Sequence, residues 1–216
     1  MQQLVLNIQP LASARLEDIV CGRNAEALAM LRSICDGDYQ EPVYLWGPAG
    51  CGKSLILNVL SACLESVSVI DGKNPDWPDG SGALLIDDAD RLSAHNQVVA
   101  FDRYNRNKTE KLVWVAAGSQ APSGLTDMRD DLRTRLGWGL IYQIHPLNDD
   151  EKRQALVKRA EQLGFELDPT IADYLLTRYS RDLRQLLSVV DALDRFSLEQ
   201  HRRVSLPLLK TLLPST

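Results

Sequence analysis

No apolar run in this 216-residue chain approaches the ~18 to 20 residues needed to cross a bilayer, and Met1-Gln2-Gln3-Leu4 puts no basic region ahead of an apolar core. Neither a membrane span nor a secretory leader is expected, so the sequence reads as a cytoplasmic protein. Cysteine is sparse and dispersed. Cys21, Cys35, Cys51 and Cys63 form no Cys-x-x-Cys pair, which argues against a zinc site and against a disulfide framework. His95, His145 and His201 are too scattered for a metal cluster. Positive charge is short as well: 24 Lys and Arg stand against 29 Asp and Glu, giving −5 where tight, unaided DNA binding usually draws on a basic excess. There is no internal repeat and no low-complexity tract.

Glycine, by contrast, is concentrated where it carries meaning. Gly47-Pro48-Ala49-Gly50-Cys51-Gly52-Lys53-Ser54 has the spacing Gly, four residues, Gly, Lys, Ser. It lies between a short apolar segment, Val43 to Trp46, and an amphipathic one that starts at Leu55. That is the pattern and the context of a phosphate-binding loop. Glycines let the backbone turn its N–H groups onto a phosphate, and the following helix adds the positive end of its dipole. Lys53 is expected to reach the β and γ phosphates of ATP or ADP, and the Ser54 hydroxyl to hold Mg²⁺.

A second carboxylate-bearing segment completes the chemistry. Ala83-Leu84-Leu85-Ile86-Asp87-Asp88 reads as a buried parallel strand that delivers two charges at its C-terminal end. Asp87 suits Mg²⁺ through water and Asp88 suits polarisation of the attacking water. Leu112 to Ala117 reads as another central strand. It ends at Gly118-Ser119-Gln120, where Ser119 or Gln120 could sense the γ phosphate, although a plain turn explains the same residues. Upstream of the loop, Gly22 to Ile34 is helical in pattern, with Asn24 as N-cap; Val20, Gly22 and Asn24 are candidates to border the adenine. Val67 to Asp71 is a further strand, followed by Gly72 to Gly82, where two prolines and three glycines leave no room for a regular helix. Either that crossover is abbreviated or the strand sits at a sheet edge.

Arg91 to Asn107 is again helical in pattern, and Leu140 to Ile144 reads as the last strand. From Asn148-Asp149-Asp150-Glu151 onward the pattern is wholly helical, over 151–163, 169–179, 181–195 and 206–213. The expected fold class is α/β, a parallel-sheet core over 11–147 followed by a small all-α lid over 148–216. Residues 1–10 contain Gln3-Leu4-Val5-Leu6-Asn7-Ile8, either an edge strand or a linear docking peptide.

Together these segments resemble AAA+ ATPases of the bacterial initiator clade, DnaA and its relatives. The resemblance rests on the phosphate loop as Walker A, on Leu84 to Asp88 as Walker B, and on Phe101-Asp102-Arg103-Tyr104-Asn105-Arg106. Above all it rests on Arg133-Thr134-Arg135-Leu136-Gly137-Trp138-Gly139-Leu140-Ile141. By that match Arg135 is the arginine finger, Ser119 the sensor 1 candidate, and Arg181 in Ser180-Arg181-Asp182-Leu183 the sensor 2 residue, with Arg184 as fallback on the same helix face. Gln3, Leu4, Leu6 and Ile8 are similar to a clamp-binding element of the clade, departing from it at Asn7. The resemblance implies a negative regulator of replication initiation that docks on the DNA-loaded sliding clamp, the β subunit of DNA polymerase III. Its Arg135 stimulates hydrolysis of ATP held by DnaA, and its own ADP mainly fixes its shape. A nucleotide-dependent adaptor or loader and a homo-oligomeric ATPase are the alternatives. The chain stops where DnaA continues into a DNA-binding domain, so sequence-specific DNA recognition is not expected.

Overall fold

The computed structural model describes residues 16, 19–74, 77 and 81–213. The clamp-peptide residues Gln3, Leu4, Leu6 and Ile8, and the strand suggested for 3–8, lie outside the described residues. By its internal contacts the chain divides into two units, an α/β unit over 23–146 and a helical unit formed by 147–213 with 19–22.

The α/β unit is built on five parallel strands: β1 (Val43–Trp46), β2 (Val67–Asp71), β3 (Ala83–Asp87), β4 (Trp114–Gly118) and β5 (Leu140–Gln143). They lie in the order β2-β3-β4-β1-β5. This is the parallel sheet expected from buried apolar runs that end in polar or glycine residues. Side chains alternate across it. Tyr44, Leu84, Ile86, Trp114 and Ala116 face α3 (Ala94–Glu110) and α4 (Asp130–Leu136) in one core with Leu132 and Leu136. On α1 (Ala25–Cys35) the buried residues are Ala27, Leu28, Leu31 and Ile34, and on α2 (Lys53–Cys63) they include Ile56, Leu57 and Leu60. Of the two readings of the stretch after β2, the structure shows the second: β2 is an edge strand.

Asn24 occupies the N-cap position of α1 but makes no side-chain cap bond. Its amide instead donates to the His145 carbonyl (2.9 Å) and accepts from the His145 N–H (2.7 Å), joining residues 121 positions apart. A buried amide satisfies more of its bonding capacity on an extended backbone segment than on one helix N–H, which accounts for the departure from the expected cap.

In the helical unit, α5 (Asp149–Gln162) opens on a capping box in which Asn148 and Glu151 satisfy each other's backbone N–H groups. α6 (Pro169–Arg178), α7 (Leu183–Glu199) and α8 (Leu206–Leu212) follow, with Leu183, Leu186, Leu187, Val190 and Leu193 of α7 buried. α7 starts two residues later than its periodicity suggests. The Asp182 carboxylate caps it, accepting from the N–H groups of Arg184 (2.8 Å) and Gln185 (3.3 Å). Arg181 therefore precedes the helix, and it does not share a helix face with Arg184. Among the described residues, no helix is long and apolar enough to cross a membrane.

Candidate functional site

Because all five strands run in parallel, their C-terminal ends share one edge of the sheet, and the phosphate loop, Asp87, Asp88 and Ser119 collect along that edge. The phosphate-loop residues follow β1, Asp87 and Asp88 end β3, and Ser119 follows β4. The register pairs Trp46 with Gly118 and Ile86 with Ala116, so Asp87 lies about one step from the level where the loop leaves β1.

Within the loop, Gly47 donates its N–H to the Gly118 carbonyl (3.2 Å), and a Cβ on Gly47 would run into the Ile144 carbonyl oxygen. Gly50 and Gly52 have φ of 77° and 105°, the left-handed region open to glycine. Lys53 is only 8% exposed, and its ammonium donates to the carbonyls of Gly47 (2.7 Å) and Pro48 (3.1 Å). A buried cation is thus anchored to the loop's own backbone. α2 begins at Lys53 with no side-chain cap and no carboxylate in its first turn, so the N–H groups of Lys53, Ser54 and Leu55 are left for an external acceptor. An uncapped helix start, a buried ammonium and a glycine-bound turn fit a phosphate. Ser54 and Asp87 have the hydroxyl and carboxylate oxygens that a hard divalent cation takes.

At the end of β3 the Asp87 carboxylate accepts the Asp88 N–H (3.0 Å), and Asp88 adopts left-handed backbone angles, φ 49° and ψ 45°. The Asp88 carboxylate is ion-paired with Lys73, which raises the lysine's pKa above its ordinary value. Ser119 is held by Asp90: its hydroxyl donates to Oδ2 (2.7 Å) and its N–H to Oδ1 (3.2 Å). The Tyr44 hydroxyl donates to the Gln120 carbonyl (3.0 Å), and burial, with the charge of Asp90, pushes that phenol up. Lys73 and Asp90 escape a sequence reading because a lysine in a turn and an aspartate three residues past a strand carry no motif of their own.

α4 carries the remaining arginines. Arg129, at its N-terminus, is bound to Asp131 through Nε (3.1 Å) and a terminal nitrogen (2.7 Å), and Arg133 is bound to Asp130 (2.6 Å). Arg135 makes no hydrogen bond or ion pair among the described residues. Its guanidinium carbon lies 4.0 Å from the ring centroid of Trp138, 5.6 Å from Phe101 and 6.0 Å from Tyr104. The helical segment 130–136 was too short to show periodicity in the sequence, so these aromatic partners had no signal there.

The other candidates belong to the helical unit. Arg181 is largely exposed and pairs at 3.4 Å with Asp149, while Arg184 sits 3.9 Å from Asp182. Val20 and Gly22 cluster with this unit, whereas Asn24 belongs to the α/β unit, where its side chain is committed to His145.

Residues 149–213 match the family model described as the lid domain of Hda. Among solved structures, the chain is similar to domain III of the replication initiation protein DnaA from Thermotoga maritima, with a TM-score of 0.75 at 21% identity over 95% of this chain and 96% of that one. It is also similar to AMPPCP-bound DnaA from Aquifex aeolicus, with a TM-score of 0.68 at 19% identity over 89% of this chain and 68% of that one. A variant of RuvB from Thermotoga maritima gives a TM-score of 0.66 at 16% identity over 93% of this chain and 72% of that one. The chain thus carries, over residues 149–213, a segment that matches the Hda lid domain, and it has the fold of DnaA domain III.

Proposed function

We propose that the chain is a nucleotide-dependent regulator of replication initiation that stimulates hydrolysis of ATP carried by DnaA. In this reading Gly47 to Leu55 cradle the phosphates of the protein's own ADP or ATP, Ser54 and Asp87 hold Mg²⁺, and Arg181 contributes from the lid. Val20 and Asn24 border the adenine, and Ser119 senses the γ phosphate. The bound Mg²⁺ supplies neutralisation of phosphate charge. Asp88 polarises the attacking water in this reading, and its pairing with Lys73 agrees with slow turnover of the protein's own nucleotide.

The observation that carries the reading is the state of Arg135. Its neighbours Arg129 and Arg133 are bound to carboxylates, whereas Arg135 is left to aromatic faces with none of its N–H donors engaged among the described residues. An arginine offered to a partner's triphosphate stabilises charge on the transferring phosphoryl group, an effect of about 10³ to 10⁵ in rate in other nucleotide hydrolases. The AMPPCP-bound DnaA of similar fold supports an adenine nucleotide as the ligand. Residues 3–8 serve as the tether to the sliding clamp on DNA.

The test is hydrolysis of ATP preloaded on DnaA, measured with wild type, Arg135→Ala and a variant lacking residues 1–8, with and without clamp loaded on DNA. Stimulation only by wild type with loaded clamp is the expected result. Stimulation that survives Arg135→Ala would overturn the finger and leave an adaptor role.

A further inference from the structure

Resting on the reading of Arg135 as the arginine presented to a partner's ATP, we propose that Trp138 is its positioning residue. The Trp138 ring holds the guanidinium by its flat face and keeps its N–H edge turned to whatever triphosphate arrives.

At 4.0 Å from the ring centroid, the guanidinium carbon of Arg135 is at stacking distance from Trp138, while Phe101 and Tyr104 of α3 stand further off at 5.6 and 6.0 Å. The electron-rich face of an aromatic ring attracts a planar cation without using any of its hydrogen-bond donors, which all lie in the cation's own plane. A carboxylate partner does the reverse. It takes up donors: Asp131 accepts from two nitrogens of Arg129, and Asp130 from one terminal nitrogen of Arg133. Of the three, Arg135 alone is restrained with none of its donors engaged among the described residues.

The ring is held by its backbone. The Trp138 N–H donates to the Arg135 carbonyl (3.1 Å), and Gly137 closes the end of α4 on Arg133 and Thr134. On the other side Leu140 donates to the Pro42 carbonyl (3.0 Å), and Gly139 passes so close to Pro42 that a Cβ would collide with that carbonyl. The turn from α4 into β5 is therefore fixed at both ends, and Trp138 stands on it 60% exposed. A large apolar ring left in water at this point is explained by the cation it carries. Lys108 lies 5.9 Å from the same ring and adds positive charge beside the finger.

The experiment repeats the DnaA hydrolysis assay with loaded clamp as a titration of the full-length protein, comparing wild type, Arg135→Ala, Trp138→Ala and Trp138→Phe. Trp138→Ala is expected to lower the maximal rate about tenfold with the half-saturating concentration unchanged, and Trp138→Phe, which keeps a ring face, to recover most of the loss. Acrylamide quenching of tryptophan fluorescence provides a second readout: Arg135→Ala should increase quenching in wild type and not in Trp138→Phe. If Arg135→Ala abolishes stimulation while Trp138→Ala matches wild type, the positioning role is overturned and the finger stands. If Trp138→Ala raises the half-saturating concentration at an unchanged maximal rate, Trp138 is a partner contact and the inference is overturned. If Arg135→Ala itself has no effect, the underlying reading falls, and the proposal with it.

Discussion

Arg159 of α5 and Asp191 of α7 are joined at 2.6 Å between Nε and Oδ1, with their side chains only 13% and 24% exposed. This pair links two helices of the helical unit across a half-buried seam. Removing one partner leaves the other charge poorly solvated, so Asp191→Ala should destabilise by about 2 kcal/mol, and the double variant Arg159→Leu/Asp191→Leu by clearly less. Urea denaturation of wild type and the two variants measures the difference. A double variant as weak as Asp191→Ala alone would contradict it.

Asp194, one turn's neighbour of that pair on α7, has its carboxyl raised above the usual carboxylate range by burial and by the charge of Asp191, against the opposing charges of Arg159 and Arg195. A folded-state pKa raised for an acid means that ionisation costs stability, a loss that sets in as pH rises through the carboxylate range. Asp194→Asn should therefore stabilise at pH 7, and the gain should shrink as pH falls toward the ordinary carboxylate pKa. Urea midpoints of wild type and variant at several pH values check both the sign and the trend.

Two glycines of the phosphate loop should fail in different ways. Gly52 has φ of 105° and nothing within reach of a Cβ, so Gly52→Ala carries only backbone strain, about 1 to 2 kcal/mol. Gly47→Ala brings a methyl against the backbone carbonyl of Ile144 and should lose more stability as well as nucleotide affinity. Thermal unfolding and binding of a fluorescent ADP analogue separate the two. Equal unfolding midpoints for the two variants would refute the distinction.

Asn24→Ala leaves the N–H and carbonyl of His145 without their partner, at a cost of about 2 kcal/mol. Asn24→Asp should retain the bond from the His145 N–H and lose the one to its carbonyl, and so fall between. If Asn24 also borders the adenine, as proposed, ADP affinity drops in both; if its role is confined to His145, affinity at temperatures well below unfolding stays at the wild-type value.

Cys35 sits at the end of α1 with its thiol pushed up to about 12, first by burial and then by the neighbouring Cys63. At pH 8 it should therefore react with iodoacetamide far more slowly than the exposed Cys21. Peptide mapping after timed alkylation gives the two rates, and comparable rates would refute the assignment.

How much of this was legible in the sequence depended on how local the determinant was. β1 was bounded by Pro42 before it and Gly47 after it, and its limits could be read directly. The phosphate loop and the Asp87-Asp88 pair are likewise written in consecutive residues. The periodicity of Leu183, Leu186, Leu187, Val190 and Leu193 sets the buried face of α7 but not its first residue, and only the Asp182 side chain, folded back on two N–H groups, marks the boundary. Tertiary partnerships were out of reach. The aromatic surroundings of Arg135 come from α3 and from the turn after α4, and Asp90 meets Ser119 across 29 positions of sequence. No periodicity encodes either meeting.

The bond between Asn24 and His145 also has a topological consequence. A stretch whose first and last residues are hydrogen-bonded to each other is a cassette, closed without a covalent link. Such a cassette tolerates new termini at an exposed turn such as Gly37, once its old ends are spliced by a short linker. The residues that flank it, 19–22 on one side and 147–213 on the other, cluster as one unit although the whole cassette separates them in sequence. Zipping up the cassette is what brings those two flanks within reach, so a hydrogen-bonded asparagine shortens, for its neighbours, a loop-closure search that would otherwise run across more than half the chain.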